Sequence, residues 1–205
     1  MARHVDIGEQ GRTAGRSDWL DEPLGSFVER IADETPAPGA GSTAAIVLSM
    51  AAALVEMAAR FSHAWDGAGP AAARARALRE RALPMARRDA KGYEVVLKAA
   101  RRPGRAGRDA ELRAALTDAS AVPLELAQAG AEVAELGAMV AASGSRNLRG
   151  DAAAGAVLAA AAASAAANLV AINLAENRGD DGAARAAGFA AAAAVAANRA
   201  LEAST

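Results

Sequence analysis

Alanine constrains this chain more than any other residue. It makes up roughly a third of the 205 residues, far above the usual share. Alanine is the strongest helix former, and its single methyl lets helices approach closely. β-Branched residues are scattered and never alternate over a run, so no strand is predicted. The expected fold class is all-α, an antiparallel bundle of six to seven helices. The length suits a domain with a core large enough to fold without staples.

The sequence has no cysteine. That excludes disulfides and Cys-type zinc sites and fits a reducing, cytoplasmic setting. His4 and His63 are the only histidines, so no His-rich metal site is expected. A formal net charge of -1 gives no electrostatic case for a nucleic-acid partner. Residues 1–17 are polar and lack the apolar middle of a signal peptide. They are expected to form a disordered tail, with one helical domain over 18–205.

Periodicity and breakers place the helices. The first starts near Pro23 and ends near Glu34. The second spans 42–62, with Ile46, Val47, Met50, Leu54, Met57 and Phe61 at helical spacing. The third covers 71–100, with a kink expected at Pro84. A basic loop, 101–108, separates it from a fourth helix over 109–120. Pro123 suits the first turn of a fifth helix reaching Ala142. The sixth spans 151–176 and the seventh 183–202.

Residues 152–175 carry no charge and are long enough to span a membrane. Most of them are alanine, with Ser164, Asn168 and Asn173 among them, and no aromatic belt flanks them. No membrane partner is expected, and the sixth helix is predicted to be buried on nearly all sides. So short a chain leaves part of that cover to another subunit, which predicts a homodimer about a twofold axis.

Several residues are candidates for chemistry. The run 35–45 is a Pro/Gly turn leading straight into the second helix. Gly39 and Gly41 permit close backbone approach, and Ser42 suits the N-cap. The first-turn N–H groups would favour an anionic or carbonyl-bearing ligand; a plain interhelical turn is the alternative. Asp89, Tyr93 and Val96 share one helix face, where a carboxylate beside a tyrosine could hold or move a proton. A solvated Arg/Asp surface pair is the alternative. Asn168 and Asn173, five apart, point about 140° from each other, so at least one is expected to be structural. Asp151 suits an N-cap, and Asn147 precedes it in a loop. Arg101, Arg102, Arg105 and Arg108 could attract carboxylates or phosphates, or simply be solvated. His63 reads as a helix-end residue.

Taken together these segments resemble the formiminotetrahydrofolate cyclodeaminase and methenyltetrahydrofolate cyclohydrolase family. The run Pro36-Ala-Pro38-Gly39-Ala40-Gly41-Ser42 resembles its P-x-P-G-G-G-S entry. Asp89-Ala90 with Tyr93 and Val96 resembles its D-x-x-A/G-[YF]-x-x-V helix, and Val122-Pro123-Leu124 its V-P-L helix start. Asn147 with Gly150-Asp151 resembles N-x-x-S-D, and the run from Asn168 to Leu174 resembles N-V-x-I-N-L. The resemblance runs in register over about 20–200. It implies an all-helical, cytoplasmic, dimeric enzyme acting on a tetrahydrofolate derivative, with no cofactor beyond that substrate. It also implies Asp89 in proton transfer, with Gly39, Gly41, Ser42, Tyr93, Asn147, Asp151 and Asn168 around the substrate. The reaction would be closure of 5-formimino-tetrahydrofolate with loss of ammonia, or hydrolysis of the methenyl form. The chain departs from the pattern at Ala40, at Gly150 and over 62–66, where the family has a Thr-Gly-Lys-type stretch. Those departures motivate a second reading, a catalytically silent helical dimer that binds a folate-like ligand or a protein partner.

Overall fold

The computed structural model describes residues 20–101, 105–175, 177 and 179–205. The described residues contain seven α-helices and one 3₁₀ turn, and no strand. The helices are α1 (Leu24–Ala32), α2 (Ala40–Arg60), α3 (Ala68–Ala100), α4 (Arg105–Ala119), α5 (Ala121–Ser143), α6 (Arg149–Asn173) and α7 (Gly182–Ser204), with the 3₁₀ turn at Arg146–Leu148. The all-α expectation holds.

The chain divides into two units after Thr35, a boundary that falls inside the domain expected over 18–205. The tail expected over 1–17 lies outside the described residues. In the first unit α1 carries an exposed ion pair, Arg30 to Glu22 at 2.7 Å. The second unit, 36–205, holds α2 to α7.

In that second unit α2 packs on α3 and α6, and α5, α6 and α7 pack on one another. Leu48, Val55, Leu78, Met85, Leu126, Val133, Val140 and Val170 are large, fully buried apolar side chains. Most of the remaining core is alanine, so the helices must come close to exclude voids. The α5–α6 seam shows how. A β-carbon on Gly130 would come 2.8 Å from Ala163 Cβ, and one on Gly137 would come 2.9 Å from Ala156 Cβ. Both pairs are seven residues apart and run in opposite directions, as an antiparallel coiled-coil-like seam requires. Glu56, with a side chain 8% exposed, ties α2 to α3 through Arg79 at 2.8 Å and also meets Arg60 at 2.6 Å.

Some boundaries differ from expectation. α2 starts at Ala40 with Gly39 as its N-cap. The Thr43 N–H closes the first turn on the Gly39 carbonyl at 2.9 Å. Ser42 is therefore not the cap, because its side chain turns into the core. α6 starts at Arg149, since the 3₁₀ turn runs directly into it and Leu148 takes the cap position. Asp151 thus falls in the first turn instead of at the cap, where its charge still complements the helix dipole. α3 begins at Ala68 and runs through Pro84. Pro70 lies in its first turn, where a missing N–H costs nothing. Arg105 lies in α4 with Arg108, not in a loop, and Arg102 lies outside the described residues.

α6 is not enclosed on nearly all sides by its own chain. Val157 is 39% exposed, Leu158 38% and Ile172 60%, and Asn168 is exposed on the same open side. By length and composition alone α2 and α6 could cross a membrane. In the bundle 61% of the apolar window of α2 is buried, and 39% of that of α6.

Candidate active site

The start of α2, the late part of α3, the α4–α5 corner and the end of α6 meet at one end of the bundle. They enclose a cavity of about 310 Å³. Gly39, Ala40 and Gly41 form one wall, and Asp89, Tyr93 and Val96 form another. Pro123, Leu169, Ile172 and Asn173 complete it. The i, i+4, i+7 spacing puts Asp89, Tyr93 and Val96 on one face, and that face looks into the cavity. Pro123 occupies the first turn of α5, where its ring needs no N–H partner.

Asp89 holds the centre of this arrangement. Ala40, Gly41 and Ser42 have no intrahelical acceptor for their N–H groups, because the first bond of α2 belongs to Thr43. Asp89 lies against that helix end, packed on Gly41. The Ser42 hydroxyl lies within donating distance of two acceptors, the Ala86 carbonyl at 2.9 Å and Asp89 Oδ2 at 3.1 Å. Burial pushes the Asp89 carboxyl above its ordinary value of 3.8, while hydrogen bonds from the Ser42 hydroxyl and backbone N–H pull the other way. The surface Arg/Asp pair is not what forms. Arg88 bonds to Glu125 at 2.9 Å, and no cation figures among the influences on Asp89. A carboxyl with a raised pKa at a cavity wall is suited to take a proton and give it back.

The other sequence candidates separate. Gly39, Gly41 and Tyr93 line the cavity with Asp89; Ser42 stands behind the wall and is fully buried. Asn147 and Asp151 sit at the opposite end of the bundle. There the Ser145 N–H donates to Ser62 Oγ at 2.8 Å, joining the α5–α6 connection to the end of α2. Along α6, Asp151 and Asn173 are about 33 Å apart at 1.5 Å per residue. Asn168 is exposed and does not line the cavity. Asn173, which is not among the substrate residues the resemblance implies, is half-buried in the cavity wall. Its signal was an amide near the end of an apolar run. Arg101 and Lys98 line a separate shallow groove beside Pro36. Among the described residues no three metal-ligating side chains gather.

The family model described as formiminotransferase-cyclodeaminase matches residues 23–191. The chain belongs to that family. Its fold is similar to that of a crystal structure of formiminotetrahydrofolate cyclodeaminase from Thermotoga maritima, with a TM-score of 0.80 at 24% identity. The similarity takes in 91% of this chain and 97% of the other. A search of curated proteins finds no match. Within a formiminotransferase-cyclodeaminase fold the departure at Ala40 is mild. Ala40 is an exposed first-turn residue, whereas Gly41 has no room for a side chain at all. Gly150 has open space around its Cα, so nothing steric holds glycine there.

Proposed function

We propose that this protein closes 5-formimino-tetrahydrofolate to 5,10-methenyl-tetrahydrofolate with release of ammonia. The observation that carries the reading is Asp89, a carboxyl raised by burial, facing the cavity beside the N-terminus of α2. In the closure, N10 attacks the formimino carbon and loses its proton. The former imino nitrogen gains two protons, one from N10 and one that the formimino group brings from solution as its amidinium, and leaves as ammonia. One group that accepts the first proton and returns it to the departing nitrogen serves both steps. Ionised Asp89 takes the N10 proton, and neutral Asp89 delivers it. Tyr93 and the apolar wall restrict water around that exchange. A cavity of about 310 Å³ sits at the small end for ligand sites. It suits the reacting bicyclic part of a folate and leaves the tail outside.

Hydrolysis of the methenyl compound to 10-formyl-tetrahydrofolate acts on the same carbon, with water in place of ammonia. Purified protein mixed with each one-carbon folate separates the cases. Growth of the methenyl absorbance with matching ammonia release is the expected result. Decay of methenyl absorbance alone marks a cyclohydrolase, and binding without turnover of either compound marks the silent module.

The working unit we propose is a cytoplasmic homodimer. The uncharged open side of α6 supports it: Val157, Leu158 and Ile172 need cover. Two copies of α6 crossing antiparallel about a twofold axis near Ala161 would cover each other. The same operation brings the Asn147–Asp151 end of each chain toward the cavity of its partner. That arrangement gives both residues access to substrate, which one chain alone does not.

A further inference from the structure

Ser42 is completely buried, with its oxygen placed between two acceptors. The hydroxyl lies 2.9 Å from the Ala86 carbonyl oxygen and 3.1 Å from Asp89 Oδ2. A hydroxyl has one proton to donate and lone pairs to offer. A carbonyl can only accept, so the bond to Ala86 uses the Ser42 proton. The same oxygen then shows Asp89 a lone pair, which a neutral carboxyl can use by donating its own O–H. If the hydroxyl turns, it donates to Oδ2, and this suits the ionised carboxylate. The Ala86 carbonyl keeps its place in the α3 ladder either way.

We propose that Ser42 is a rotating partner that keeps Asp89 hydrogen-bonded in both of its protonation states, and so positions it to take and return a proton. Its use in turnover rests on the folate reading above; the coupling of the two side chains does not. Ser42 keeps its own proton throughout. When Asp89 accepts a proton, the new O–H at Oδ2 donates to Ser42, and the hydroxyl turns to Ala86. When that O–H bond breaks and the proton leaves for substrate, the hydroxyl turns back to the carboxylate. Without such a partner the ionised carboxylate would lose the hydroxyl and keep the Ser42 backbone N–H, and the neutral form would lose the acceptor for its O–H. Few other groups compete. Among the described residues Tyr93 on α3 is the one other titratable side chain lining the cavity, and α4, α5 and α6 present Ala119, Pro123, Leu169, Ile172 and Asn173. From α2 the carboxyl meets Gly41 and Ser42, and neighbouring Arg88 is held by Glu125.

Carbon-13 NMR of the full chain tests this, with the Asp89 carboxyl assigned by loss of its signal in Asp89→Asn. In the unmodified protein the Asp89 carboxyl and the Ser42 β-carbon should titrate with a shared midpoint above that of an ordinary aspartate. In Ser42→Ala the ionised form loses the stronger bond. The Asp89 midpoint should therefore rise by about one pH unit, carrying the acidic limb of the kcat/KM profile with it while KM stays near its original value. Ser42→Thr keeps a hydroxyl and should return the midpoint. A Ser42 signal that stays flat across the Asp89 titration overturns the proposal, as does an unmoved midpoint in folded Ser42→Ala. Coupled titration in a protein that turns over neither folate upholds the rotating partner and removes the reaction.

Discussion

The carboxyl group of Asp89 fills the space that a side chain on Gly41 would need. A β-carbon there would overlap both carboxyl oxygens and the carbon between them. Neither Gly39 nor Gly41 has positive φ, so the glycine run does not serve an unusual backbone conformation. It serves contact, by letting a charged group from α3 reach the unpaired N–H groups at the start of α2.

Gly41→Ala and Ala40→Gly should therefore differ sharply. The added methyl in Gly41→Ala must displace Asp89 from the helix end. We expect a loss of roughly 1–3 kcal/mol in stability together with loss of turnover. Ala40→Gly changes an exposed first-turn residue and should cost at most about 1 kcal/mol, with turnover kept. Urea unfolding and the methenyl absorbance assay, run on both variants, measure the contrast. Equal behaviour of the two would show that the Asp89–Gly41 contact is not required.

Burial makes the ionised form of Asp89 a burden on the folded state. A raised folded-state pKa means the native protein holds a proton that the unfolded chain has released. Stability then falls as pH rises from the ordinary aspartate value of 3.8 through the raised value of Asp89, and the loss persists above it. Asp89→Asn removes that charge. Its Tm should be higher than that of the unmodified protein at pH 7, and the gap should close as the pH is lowered toward 4. Turnover should vanish in the same variant. A Tm gap that widens in acid would mean the carboxylate stabilises the fold.

Periodicity and composition made the helices legible, because alanine-rich helices broken by Pro and Gly leave little room for strands. The face shared by Asp89, Tyr93 and Val96 was also legible, since helical spacing fixes it. The role of Ser42 was not. A serine just after a glycine turn looks like a cap, and only tertiary packing reveals that Gly39 caps the helix while the serine faces Ala86 and Asp89. Asn147, Asp151 and Asn168 looked like neighbours of Asp89 because a linear motif carries no distance. The length of α6 sets the first two at the far end of the bundle. Asn168 was expected inside an apolar helix, and it stands on the side that its own chain leaves open.

The seam between α5 and α6 should resist even one added methyl. In Gly137→Ala the new β-carbon would meet Ala156 Cβ at 2.9 Å and the Ala152 carbonyl at 3.0 Å. A backbone atom cannot swing aside as a side chain can. The overpacking cost, roughly 1–3 kcal/mol, should outweigh the gain of up to about 1 kcal/mol from replacing a helical glycine. Gly188 in α7 is exposed with nothing within 4 Å of its β-position. Gly188→Ala should instead stabilise by about 0.5–1 kcal/mol. Denaturant midpoints of the two variants should move in opposite directions; a stabilised Gly137→Ala would show that the seam has slack.

Complementation between two inactive variants tests the shared site. Asp89 shares its end of the bundle with Asn173, and Asp151 lies about 33 Å from Asn173 along α6; an antiparallel pairing of α6 helices would set each aspartate beside its counterpart from the other copy. If both serve one site, Asp89→Asn and Asp151→Asn should each be inactive alone. In a dimer that contains one of each, both substitutions fall in the same site and the second site is intact. Random pairing puts half of the dimers in that mixed form, so co-expression should restore about a quarter of the unmodified activity. Were each site built from one chain alone, every chain in the mixture would carry a defect and the mixture would stay inactive. Full activity of Asp151→Asn by itself would remove that residue from the chemistry.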